Sequence, residues 1–99
     1  MFRILVLLKA NNGKDVPFIR DCLRDISRIT LAEEPCCKRL DVYHSQSDEQ
    51  VFILCEEWDA RQDWEGHRNE RAFREIYAPK VLPLVEREPH ISILVNEPE

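Results

Sequence analysis

The chain has 99 residues, 43% of them hydrophobic and 33% charged, with only two glycines and no repeat, so one folded domain spanning residues 1–99 is expected. Its net charge of −5 and pI near 5.2 argue against a nucleic-acid partner, which requires a basic face. The longest apolar run, ILVLL, is too short for a bilayer and no cleavable hydrophobic segment opens the chain, so a cytoplasmic protein without membrane contact is expected.

FRILVLLK, Phe2 to Lys9, is rich in branched apolar residues and predicts a strand closed by NNG, where Asn12 and Gly13 readily take positive φ. Asp15 is placed to cap a helix with Pro17 in its first turn. Ile19, Cys22, Leu23, Ile26 and Ile29 then recur at helical spacing, while Arg20, Asp21, Arg24, Asp25 and Arg28 face outward. Pro35 pushes Glu34 toward extended backbone and ends that helix, after which CKRLDVYH predicts a second strand and SQSDEQ a polar turn. VFILCEEW, Val51 to Trp58, predicts a third strand. Asp59 with Gln62 three residues on has the form of a capping box, so a helix is expected directly after Trp58. A second helical piece starting near Asn69 is expected to bury Ala72, Phe73 and Ile76. Pro79 and Pro83 then punctuate a last turn or two, and HISILV, His90 to Val95, predicts the closing strand.

The order β, α, β, β, α, β predicts an α+β, ferredoxin-like fold: a four-stranded antiparallel sheet with its helices on one face. The first and third strands are apolar on both faces, yet the helices cover only one. A second copy of the chain, packed sheet against sheet, is the expected cover, which makes the protein a homodimer. Cys22, Cys36, Cys37 and Cys55 form no C-x-x-C pair, and reduced, partly buried thiols are expected rather than a metal site or disulfides.

Three motifs occur in order at element boundaries: NGK after the first strand, EEPCC before the second, and E-x-W, Glu56 to Trp58, followed nine residues later by His67. With them the chain resembles the antibiotic biosynthesis monooxygenase family of dimeric α+β barrels. Glu34, Pro35 and Cys37 match the family's E-P-G-C, whereas Cys36 departs from its glycine. The superfamily spans quinol oxygenases, heme-degrading enzymes, isomerases of signalling sugars and proteins with no known activity, so the resemblance implies a fold more sharply than a reaction. It also implies a site in each subunit, between the helical layer and the sheet. Phe52, Leu54, Glu56 and Trp58 share one parity of the third strand, so an apolar wall would end there in a carboxylate and an indole.

Four candidate catalytic residues follow. Trp58 is either a stacking wall and N–H donor for a planar substrate or a core aromatic; His67 is either a general base or a residue ending a helical segment. Glu56 and Tyr77 are further groups able to handle a proton. Asp63 and His67 lie four apart with no third metal ligand at a telling spacing, and Tyr43 alternates with His44 across the second strand. No flavin or metal motif is present, so the leading expectation is a cofactor-independent oxygenase in which a phenol or quinol supplies the electrons to O2. A heme-binding or heme-degrading protein is the alternative, against which stand Tyr77 where such relatives carry an iron-binding histidine and the absence of asparagine from Phe2 to Lys9. A non-catalytic small-ligand-binding dimer is the third.

Overall fold

Nine-residue FRILVLLKA, at the centre of the sheet, sets the architecture. The computed structural model describes residues 1–97. Strand β1 (Phe2–Ala10) lies between β3 (Val51–Trp58) and β4 (Val85–Ser92), with β2 (Cys37–His44) at the other edge, giving the order β2-β3-β1-β4. All pairings are antiparallel. With α1 (Val16–Glu33) and the helical segments after β3 packed on one side, the fold is ferredoxin-like α+β. A thickness of 18 Å along the shortest axis is that of one sheet and one helical layer.

The core forms where two periodicities meet. Ile4, Val6, Leu8 and Ala10 alternate along β1 and are buried, as are Phe52, Leu54, Glu56 and Trp58 along β3. The apolar stripe of α1, Ile19, Cys22, Leu23, Ile26 and Ile29, closes over them. Ser27 donates to the Leu40 carbonyl at 2.6 Å and fixes α1 against β2. The opposite sheet face has no such cover: Leu5 opposes Cys55 and Leu7 opposes Ile53, all partly exposed. Ion pairs of Arg3 with Glu57 and of Lys9 with Asp48 lie around this apolar centre.

Several local expectations are corrected. The residues NNG need no positive φ; Asn12, extended at φ −138, caps a short 3-10 turn (Gly13–Asp15) by accepting from the Lys14 N–H. Asp15 precedes α1 without a side-chain cap bond. The capping box at Asp59 does not form, because Asp59 faces Lys38 and its N–H donates to the Cys36 carbonyl; the helix α2 (Arg61–Gly66) starts two residues later, from Ala60. A 3-10 turn (His67–Asn69) leads into a ten-residue π-helical segment (Ala72–Val81), in which the Leu82 N–H reaches back five residues to the Tyr77 carbonyl. This wider winding buries Ala72, Tyr77 and Val81, and leaves Phe73 and Ile76 only partly covered. The closing strand also begins earlier than His90, at Val85, after a further 3-10 turn (Leu82–Leu84). Pro89 is accommodated because β4 is an edge strand, and the apolar Ile93, Leu94 and Val95 lie beyond it, exposed.

Candidate active site

Strand alternation, the break after α1 and the wide π winding bring three of the four candidate residues to one cavity. Its volume is about 320 Å³, and Leu23, Leu54 and Phe73 are among its apolar walls. Glu56 reaches it from β3, His67 from the 3-10 turn after α2, and Tyr77 from the π-helical segment. Trp58 stands behind this wall with its ring 1% exposed. Its indole N–H donates to Glu56 Oε1 at 3.0 Å, and its ring lies 5.1 Å from the His67 imidazole. Trp58 therefore orients the two polar groups rather than lining the cavity. Glu57, of opposite parity, binds Arg3 on the other sheet face, so the two neighbouring glutamates are separated.

The partner of His67 lies 33 residues away in the chain. Glu34, held extended by Pro35 just past α1, places its carboxylate oxygens 2.7 and 3.0 Å from Nδ1 of His67. Facing an ionised Glu34, which only accepts, a neutral His67 carries its proton on Nδ1 and keeps its lone pair on Nε2. Both side chains are buried. The EEPCC motif marks Glu34, but a contact spanning 33 residues has no local spacing by which to find it.

Electrostatics follows from burial. The Glu56 carboxyl is pushed above the ordinary carboxylate range by desolvation, opposed by the Trp58 N–H. Burial likewise raises Glu34, with the His67 hydrogen bond acting against it. The Tyr77 phenol is raised by desolvation and drawn back by the Arg87 guanidinium, which approaches from β4. Burial drives the Cys37 thiol up to about 12, which makes it an inert core group.

A carboxyl that holds its proton more tightly when folded stabilises the fold below its ordinary pKa and loses that contribution as pH rises through the folded value. Glu56→Gln removes this loss and keeps an acceptor for Trp58. The variant is expected to melt higher than the parent at neutral pH and to lose that advantage in acid below the ordinary carboxylate range, as thermal melts across a pH series will read.

Among the described residues, no three His, Cys, Asp or Glu side chains are grouped to hold a metal ion, and no helix is long and apolar enough to cross a membrane. Fold and site together define an α+β protein with a small apolar cavity, entered by the His67 of a buried Glu–His pair and by the buried carboxyl of Glu56. The chain belongs to the antibiotic biosynthesis monooxygenase family, whose model matches residues 1–79. It is similar in structure to a Bacteroides thetaiotaomicron protein of unknown function described as a possible oxidoreductase, at 20% identity and TM-score 0.81, over 90% of this chain and 92% of that one. A candidate antibiotic biosynthesis monooxygenase from Nitrosomonas europaea aligns at 17% identity and TM-score 0.81, over 94% and 98% of the two chains. Another, from Deinococcus radiodurans, aligns at 20% identity and TM-score 0.76, over 100% and 99%. No curated protein matches the chain.

Proposed function

We propose that the protein is a cofactor-independent monooxygenase acting on a phenol or quinol in the cavity between sheet and helices. The observation that carries this reading is the Glu34–His67 pair, 2.7 Å apart and buried, with His67 on the wall of an apolar cavity. His67 Nε2 takes the substrate's hydroxyl proton, and Glu34 holds the ring and stabilises the imidazolium that results. Glu56, oriented by Trp58, and Tyr77 hydrogen-bond the remaining oxygens. Deprotonation makes the ring electron-rich enough to reduce O2. For a hydroquinone the balance is one O2 consumed, one oxygen atom entering the ring in place of hydrogen, and the other leaving as water, with all four electrons drawn from the substrate. The apolar walls keep bulk water from the reacting ring.

The same reading makes the chain a single-domain homodimer, covering Leu5, Leu7, Ile53 and Cys55 with the same surface of a second copy, and a cytoplasmic protein, to which four free thiols are suited. The heme alternative draws on the fold and the position of Trp58, whose ring is 1% exposed and stands behind the cavity wall. The deciding experiment incubates the protein with a panel of quinols under isotopically labelled dioxygen. One labelled atom in the product and one in water is the expected result. Oxygen uptake no higher than the blank across the panel ends the reading and leaves the non-catalytic ligand-binding dimer.

A further inference from the structure

The cavity's charge runs opposite to that of the chain. With 19 acidic residues against 14 basic ones, the protein has carboxylates to spare, and Arg3, Arg24, Arg28, Arg39, Arg61 and Arg71 each pair with one. Among the described residues Arg20, Arg74 and the two arginines at the cavity do not. Arg87 enters from β4 and Arg68 from the 3-10 turn after α2, and among the described residues neither forms an ion pair. Of the local acids, Glu34 is committed to His67 and Glu56 to Trp58, with Arg87 near enough to act on the Glu56 carboxyl without forming an ion pair with it. Arg68 is steadied over the Trp64 ring, 6.0 Å from its centroid, and the Tyr77 hydroxyl adds an O–H donor beside Arg87. Apolar walls thus open onto two guanidinium forks on separate elements, neither held in an ion pair among the described residues, a combination that matches an apolar ring carrying a bidentate anion.

We propose that the site selects a phenol or hydroquinone bearing a carboxylate, which Arg87 and Arg68 hold at the cavity rim while the ring lies among the apolar walls. This assignment rests on the proposed oxygenase site for the hydroxyl group and extends it to the rest of the substrate. An arginine on an exposed edge strand also serves to deter strand pairing, and that role requires no ligand preference.

Calorimetric titration under nitrogen with a hydroxynaphthoate, and with the naphthol that lacks only the carboxylate, separates the two. The parent protein is expected to bind the naphthoate about tenfold or more tightly than the naphthol, the range a charge-assisted hydrogen bond supplies. Arg87→Gln is expected to remove about tenfold of naphthoate affinity and to leave naphthol binding within about twofold, with Arg87→Lys recovering only part because the fork is lost. Both positions are solvent-exposed, so the variants are expected to fold, and circular dichroism checks this. Naphthol binding as tight as naphthoate, a preference that survives in the Arg68→Gln, Arg87→Gln double variant, or no binding of either probe overturns the proposal. Neither probe needs to turn over, so failure of oxygen uptake with quinols and failure of this selectivity are read independently.

Discussion

His67→Ala is expected to lower kcat on a quinol by about 10²–10⁴-fold, the usual contribution of a positioned general base. The imidazole is the group in the cavity whose proton state is organised from behind: Glu34 occupies Nδ1 and leaves Nε2 for the substrate. Removing it has a second effect, since Glu34 is 7% exposed and would lose its donor, a loss of about 1–3 kcal/mol of stability. Glu34→Gln separates the two contributions. It keeps a side chain of similar shape while removing the charge that stabilises the imidazolium, so kcat falls by less than in His67→Ala and its pH dependence shifts. Oxygen-electrode rates on proteins shown by melting to be folded give the comparison. A folded His67→Ala variant with full turnover would remove the base role from His67 and leave Glu56 as the remaining buried acceptor.

Leu7→Glu is expected to convert a dimer into a monomer. Leu7 faces Ile53 across the strand pair at the centre of the uncovered sheet face, with charged pairs toward its edges. In a two-fold symmetric interface one substitution introduces two buried carboxylates, and an unpaired buried charge is destabilising by about 3–5 kcal/mol, so even one of the two raises the dissociation constant about 10²–10⁴-fold. Sedimentation at micromolar concentration reads the change directly. A parent protein that sediments as a monomer at that concentration contradicts the dimer altogether. Glu75, exposed on the π-helical segment and so on the helical side of the sheet, provides the contrasting position: Glu75→Lys is expected to leave the association state unchanged.

The parts of the fold legible in the sequence are those where a single periodicity meets a single environment. The bounds of β2 and β3 and the buried stripe of α1 were readable because alternation and helical spacing each had one face to fill. The C-terminal quarter was not. In β4 only Val85 is buried, so the apolar signal of ISILV belongs largely to residues past the strand, and Pro89 looks like a breaker until its edge position is known. The π winding was invisible for a related reason: nothing in AFREIYAPKV distinguishes five-residue from four-residue hydrogen bonding before packing selects it. At the site, Glu56 could be placed by strand parity and His67 by the family motif. Glu34 and Arg87 could not, since each acts on residues that only the tertiary fold brings near.

The cavity's construction also offers a way to look for what fills it. Its walls come from α1, β2, β3, α2, the π-helical segment and β4, so unfolding dismantles the binding surface completely. Any compound that binds there stabilises the whole domain by mass action, about 2.7 kcal/mol at a hundred times its dissociation constant. For a domain near this size each kcal/mol raises the midpoint by about 4–8 °C, so a chemical library screened by melting temperature would rank ligands before any reaction is known.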